Sequence, residues 1–204
     1  MSFSLQSIMR RGVFGLLVAG TVAWMTAPPA WSAAPSLSSA EAARFLRQGG
    51  VALLLRHGQT VPGIGDPDGF RLDDCSTQRN LSVDGKNALR EMSQRLESAG
   101  IRFSRVFTSQ WCRCRDTAQL LAGAQVTIES WPALNSQFAG NPVVSSANAE
   151  VIDRLRELAR NQSWLLVTHQ VNVLALTGVS PDSGEGVLVR SGKSGLGVLG
   201  RVKF

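Results

Sequence analysis

The sequence predicts an α/β fold, a three-layer sandwich whose mainly parallel central sheet is flanked by helices. Three observations carry this. The runs Val51-Ala52-Leu53-Leu54-Leu55 and Trp164-Leu165-Leu166-Val167-Thr168 are unbroken apolar segments of strand length, as expected for strands buried on both faces. Segments of helical period alternate with such runs along the chain. The only two histidines follow them directly, in Arg56-His57-Gly58 and in Thr168-His169. Ligands of open α/β sheets sit beyond the carboxyl ends of the strands, so both imidazoles are expected in one site.

Ser38-Ser39-Ala40-Glu41 is a capping box that starts a helix with Ala42, Phe45 and Leu46 on its buried stripe, and Gly49-Gly50 ends it. The first apolar strand follows and runs to Arg56. Pro62, Gly63, Gly65, Asp66, Pro67, Asp68 and Gly69 then mark a long irregular loop, a kind of segment that is functional or disordered in compact domains. From Ser82 to Ala99 a helix is capped by Ser82, carries Asp84 in its first turn and repeats Leu89, Met92 and Leu96, with Gly100 as its stop. Arg105 to Thr108 reads as a short strand, Thr117 to Leu121 as helix and Gln125 to Glu129 as strand. Ile152, Leu155 and Leu158 define a helix whose Asp153, Arg154, Arg156 and Glu157 form a solvated face. After the strand ending at His169 come an apolar helix from Val171 to Leu176 and two apolar runs, Gly186 to Val189 and Leu196 to Val202. There is no internal repeat.

The first residues read as an address. Arg10 and Arg11 precede an uncharged apolar stretch from Gly12 to Ala27, and Ala30 and Ser32 fit the small positions before a cleavage point. Residues 1–32 are therefore expected to be a signal peptide and 33–204 a single domain, with export to a periplasm or the exterior; an uncleaved anchor is the alternative, although the stretch is short for a span. Processing removes Arg10 and Arg11 and no acid, so the formal charge falls from +6 to +4. No Lys/Arg run or aromatic interleaving turns that excess into a nucleic-acid signature; a small anionic ligand accounts for it equally well. Cys75, Cys112 and Cys114 remain. A disulfide from Cys75 to Cys112 or Cys114 would clamp the loop before Leu81 to the segment around Arg113, the alternative being three free buried thiols.

A neutral imidazole between an arginine and a glycine is suited to attack on phosphate. It is nucleophilic near neutral pH, the guanidinium is a fork for phosphate oxygens, and glycine would let backbone N–H groups approach an anion. In its extended form, Leu53-Leu54-Leu55-Arg56-His57-Gly58-Gln59-Thr60 resembles the signature of the histidine phosphatase superfamily, the phosphoglycerate mutase-like fold. Further segments agree in order: Arg79-Asn80-Leu81-Ser82-Val83-Asp84-Gly85, Thr108-Ser109-Gln110-Trp111-Cys112-Arg113-Cys114-Arg115-Asp116-Thr117-Ala118, and Leu165-Leu166-Val167-Thr168-His169.

The resemblance implies that His57 is the nucleophile that becomes phosphohistidine and that Arg56, Arg113 and His169 line the phosphate pocket, with Arg113 fitting the pattern rather than Arg115. Gly58, Thr60, Arg79 and Gln170 are candidate substrate-binding residues; Arg79 reaches the pocket edge or pairs with Asp73 or Asp74. No metal or cofactor is implied, and the implied partner is a small phosphorylated substrate.

Two departures concern the proton donor. Mutase-like relatives carry a glutamate where this chain reads Leu134-Asn135-Ser136-Gln137-Phe138, and acid phosphatases carry an aspartate where this chain has Gln170. Gly63 stands where mutases have an asparagine, which argues against mutase activity. Candidate acids are Glu129 and Asp74, with Asp66, Asp68 and Asp73 also within reach of the loop. The arrangement Arg79-x-Leu81-Ser82-x-x-Gly85 is similar to the phosphohistidine phosphatase subgroup, whose cytosolic substrates would not meet an exported protein. The expected function is an exported, metal-independent phosphomonoester hydrolase. A periplasmic phosphate-ligand binding protein with little turnover is the competing reading.

Overall fold

The computed structural model describes residues 34–123, 126–137, 143–192 and 195–204. The leader, the expected cleavage point before Ala33, Gln125 and Phe138 lie outside the described residues.

The expected capping box starts α1 (Ser39–Gln48): Ser38 Oγ accepts from the Glu41 amide at 3.2 Å, and Glu41 Oε2 accepts from the Ser38 amide at 2.9 Å. Gly49 ends it at φ 78°, pressed against the Arg160 carbonyl so closely that a Cβ would lie 2.7 Å from its oxygen. The chain then enters β1 (Val51–Arg56), forms α2 (Val83–Ser98), β2 (Arg105–Thr108), α3 (Cys112–Leu121) and β3 (Ile128–Ser130), and continues through α4 (Val143–Leu155), β4 (Ser163–Thr168) and α5 (Gln170–Thr177) to β5 (Gly186–Gly192) and β6 (Gly195–Val202).

The six strands form one sheet in the order β3-β2-β4-β1-β5-β6. The first four are mutually parallel, whereas β5 is antiparallel to β1 and β6 antiparallel to β5. Alternation along β1 builds the layers. Leu53 and Leu55 pack with Leu46 of α1, Leu89 and Met92 of α2 and Ala118 of α3; Ala52 and Leu54 face Val151 and Leu155 of α4 and Val173 of α5. Helices thus cover both faces, as the all-apolar runs predict.

The topology also places the site. From β1 the chain moves along the sheet to β2 and β3 under α2 and α3, then returns under α4 on the other face to insert β4 beside β1, as right-handed crossovers require. The connections leaving β1 and β4 lie on opposite faces, which opens a crevice at their carboxyl ends. Val51↔Ser163 through Arg56↔Thr168 pair in register, so the residues that follow, His57 and His169, emerge side by side.

Several expectations are revised. α3 begins at Cys112, earlier than the expected Thr117–Leu121 segment, and puts Arg113 in its first turn. The strand expected from Gln125 is shorter, Ile128–Ser130. The helix around Ile152 ends at Leu155; Leu158 lies beyond it and still packs against the core. Its polar residues are not uniformly solvated. Asp153 and Arg156 pair with each other at the surface, but the Arg154 guanidinium lies 5.5 Å from the Phe107 ring centre and 5.6 Å from that of Trp131. The last two apolar runs pair antiparallel, because two intervening residues are too few for a parallel crossover.

The disulfide is Cys75–Cys112, and Cys114 is a free, fully buried thiol whose pKa burial pushes up to about 12. No helix among the described residues is long and apolar enough to cross a membrane.

Candidate active site

His57 continues the β1 ladder, its amide donating to the Thr168 carbonyl at 3.0 Å. Its Nδ1 lies 2.8 Å from the Gly58 carbonyl, an acceptor only, so Nδ1 carries the proton. Nε2 is left with its lone pair and accepts from Arg113 Nε at 3.3 Å. Burial pushes the His57 pKa down to about 3; the Arg113, Arg56 and Arg79 charges act in the same direction, and the Gly58 carbonyl opposes them. The imidazole is therefore neutral at physiological pH, with its nucleophilic nitrogen among cations.

His169 sits at the N-cap of α5, its ring 5.5 Å from that of His57. Burial, then the charges of its neighbours, hold its pKa well below the usual range. The Ser109 hydroxyl donates to Asn135 Oδ1 at 3.2 Å, so it accepts from His169 Nε2–H at 2.9 Å; this assigns the Nε2-protonated tautomer. Ser109 and Asn135 are functional supports that the sequence alone did not single out.

Around the histidines lies a cleft of about 650 Å³, and Arg56, Arg79, Arg113 and Gln170 line it as well. Arg56 Nη1 donates to the Pro181 carbonyl at 3.0 Å and Arg79 Nη1 to the Gly63 carbonyl at 2.5 Å. Nε of each guanidinium is buried without a hydrogen-bond partner among the described residues. Such donors are costly to bury unless an acceptor meets them. Arg79 lines the cleft and pairs with neither Asp73 nor Asp74; Asp73 pairs with Arg71, and the Asp74 carboxylate caps the turn at Ser76. Arg113 is buried, whereas Arg115 is exposed and directed at Cys75.

Two expected binding residues are elsewhere. The Gly58 amide donates to Thr117 Oγ1 at 3.1 Å and so is not offered to an anion; a Cβ there would lie 2.6 Å from Leu89 Cδ1, so this glycine serves packing against α2. Thr60 pairs with Leu81 and does not line the cleft. Neither candidate acid reaches the cleft: Glu129, on β3 at the sheet edge, is paired with Arg105 at 2.7 Å, and Asp74 is held by its cap.

Asp66 is the carboxylate the fold delivers. Its Oδ1 accepts from Arg113 Nη1 at 2.8 Å and from the Arg79 amide at 3.0 Å, and its Oδ2 accepts from Trp111 Nε1 at 3.0 Å. Burial would raise its pKa, but these hydrogen bonds and the Arg113 charge outweigh burial and hold it below the usual carboxylate value.

Residues 52–142 match the sequence profile of the histidine phosphatase superfamily (branch 1). Over this segment, a little under half of the chain, the sequence is similar to that superfamily. The matched segment carries His57, Arg79 and Arg113, and the structure adds His169 from beyond it.

Solved structures share the fold. The protein histidine phosphatase SixA complexed with tungstate is 18% identical with a TM-score of 0.55, covering 75% of this chain and 96% of its own. The alpha-ribazole phosphatase from Shigella flexneri is 17% identical, TM-score 0.55, covering 72% and 94%. A phosphoserine phosphatase mutant from Entamoeba histolytica, complexed with phosphoserine, is 14% identical, TM-score 0.55, covering 74% and 95%. A search of curated proteins finds none that matches.

Proposed function

We propose that the protein is an exported, metal-independent phosphomonoester hydrolase that works through a phosphohistidine intermediate on His57. The observation that carries this reading is the protonation pattern: a buried neutral imidazole with proton on Nδ1 and lone pair on Nε2, set among Arg56, Arg79 and Arg113. Phosphoryl transfer asks chiefly for an in-line nucleophile and cations on the equatorial oxygens.

In the first step the His57 Nε2 lone pair forms the N–P bond, and the P–O bond to the leaving group breaks with its electron pair on oxygen. Arg113 Nε, which donates to Nε2 in the resting site, is placed to pass its hydrogen bond to a phosphoryl oxygen as Nε2 is phosphorylated. The free Nε–H groups of Arg56 and Arg79 supply further donors. In the second step water attacks phosphorus, the N–P pair returns to Nε2, and the water proton leaves with the phosphate product. His169, held by Ser109, donates no net charge and orders the side of the pocket facing α5.

Purified protein incubated with p-nitrophenyl phosphate is expected to release nitrophenolate and to hold acid-labile phosphate that maps to His57. His57→Ala is expected to abolish both; continued turnover by a folded His57→Ala protein would overturn the assignment. Glu129→Gln and Asp74→Asn serve as controls and are expected to retain wild-type rates, because neither side chain reaches the cleft. N-terminal sequencing of protein from the source cell is expected to start near Ala33.

One observation favours a second reading, a phosphate-ligand binding protein. Asp66, the one carboxyl among the described cleft-lining residues, is already engaged by Arg113, the Arg79 amide and Trp111. Tight phosphate binding without turnover of any ester would support it.

A further inference from the structure

Building on the phosphatase reading, we propose that the cleft selects phosphomonoesters with an aromatic leaving group that departs without protonation, and that Asp66 acts as a fixed counter-charge instead of a proton donor.

The mouth of the cleft is where a leaving group would lie, and its wall is apolar: Ile64, Phe70, Trp111 and Val171. Phe70 and Trp111 stack with ring centres 5.6 Å apart at 39°. The Trp111 indole is pinned through Nε1 to Asp66, so its face is presented in one orientation, and Ile64 is fully exposed at the loop tip. A preformed aromatic wall contiguous with a cationic floor suits a ligand that has a phosphoryl group at one end and a planar apolar body at the other. A polyol would find few hydrogen-bond partners on Ile64, Phe70 and Val171.

Charge fixes the other end. Among the described residues that line the cleft, three guanidinium groups against one carboxylate, with both imidazoles neutral, leave two net positive charges, the count of a phosphomonoester dianion. Removing Asp66 would raise the count and free Arg113 from its hold.

The proton inventory decides the leaving group. Asp66 is the sole carboxyl among the described cleft-lining residues, and both its oxygens already accept hydrogen bonds from Arg113, the Arg79 amide and Trp111. Its hydrogen-bonded form is the anion, so no proton stands ready there. Gln170, where a donor would follow the second histidine, has a side chain that does not titrate and is turned to Ser180 Oγ at 2.6 Å. The P–O electron pair must then rest on the departing oxygen, which is stable for a phenolate and unfavourable for an alkoxide; water protonates the phenolate after it leaves.

The test compares kcat/KM for substituted phenyl phosphates of graded leaving-group acidity, glycerol 1-phosphate and acetyl phosphate. In the wild type, rates are expected to fall steeply as the phenol becomes less acidic, with glycerol 1-phosphate on the order of a hundredfold or more below p-nitrophenyl phosphate, the usual worth of a missing general acid. Phe70→Ala is expected to raise KM for the phenyl esters several-fold more than for acetyl phosphate, which has a good leaving group but no ring. Asp66→Asn is expected to lower kcat/KM for all substrates by a similar factor and to leave the shape of the pH profile unchanged. Glycerol 1-phosphate turned over within tenfold of p-nitrophenyl phosphate would overturn the proposal using the wild type alone. So would selective loss of alkyl-ester turnover, with a changed pH profile, in Asp66→Asn, or an equal effect of Phe70→Ala on both KM values. Failure of the underlying reading looks different: no substrate is hydrolysed and no phosphate is trapped on His57.

Discussion

Removing the Cys75–Cys112 bond is expected to cost stability and affinity together. The bond joins residues 37 apart in sequence. Closing a loop of that length removes about 13 cal/mol/K of chain entropy from the unfolded state, or about 4 kcal/mol at 25 °C. The loop contains all of α2 and β2, and residual helix in the unfolded chain makes this figure an upper bound. For a domain of this size about 4 kcal/mol corresponds to roughly 8–16 °C in Tm. Alanine is the suitable replacement, because Cys112 is buried and a serine hydroxyl there would need a partner. Urea denaturation of Cys75→Ala/Cys112→Ala against wild type, with and without reductant, measures the effect. The variant should show a lower midpoint and a larger m value, since its unfolded state is less compact. The bond also ties the segment carrying Asp66 and Arg79 to the helix carrying Arg113, with Gln78 Oε1 accepting from the Cys112 amide at 2.9 Å beside it. KM for p-nitrophenyl phosphate should rise in the variant. Midpoint, m value and KM all equal to wild type would refute the reasoning.

Gly85→Ala should destabilise even though alanine is worth about 1 kcal/mol more than glycine within a helix. The new Cβ would lie 2.1 Å from the Gln59 carbonyl oxygen, so helix or loop must shift, and such overpacking costs about 1–3 kcal/mol; a urea midpoint at or above wild type would contradict this. Stability should also fall on acidification. The folded-state pKa of His57 is near 3 and that of His169 well below 6.5, so between the unfolded value and these the unfolded chain binds more protons. Each histidine adds stability that is complete above about pH 6.5 and declines on acidification, for His57 down to its folded value of about 3, at up to about 1.4 kcal/mol per pH unit per group. Urea midpoints from pH 7 to 4.5 should decline, and less so in His57→Asn; a flat profile would remove the buried neutral imidazole from the account.

Legibility differs between parts of the chain for identifiable reasons. β1 and β4 were readable because both faces are buried and every residue of Ser163–Thr168 is inside. α1 and α2 were readable because Ser38 and Ser82 cap them locally. β3 and the end of α4 were not, since a three-residue edge strand and a helix that stops before its last apolar residue carry little period. Within the cleft, Arg56, His57, Arg113 and His169 could be placed from their motif spacing. Asp66 could be named only as one acid among several in the loop, because what selects it is a tertiary contact with Arg113, 47 positions on. Gly58 misled in the other direction: beside a reactive histidine it suggested an open backbone, yet it makes room for Leu89.

The strand order has a consequence for how the molecule comes into being. β1 is flanked by β4 and β5, and neither exists before residue 163. During synthesis Val51 to Leu55, the most apolar strand of the first half, has no partner until nearly the whole domain has emerged, and α2, β2 and α3 must wait beside an open ladder. Long-range pairing of this kind is slow and leaves strand edges exposed meanwhile. His57 and His169 therefore become neighbours only when β4 pairs with β1, late in the assembly of the domain.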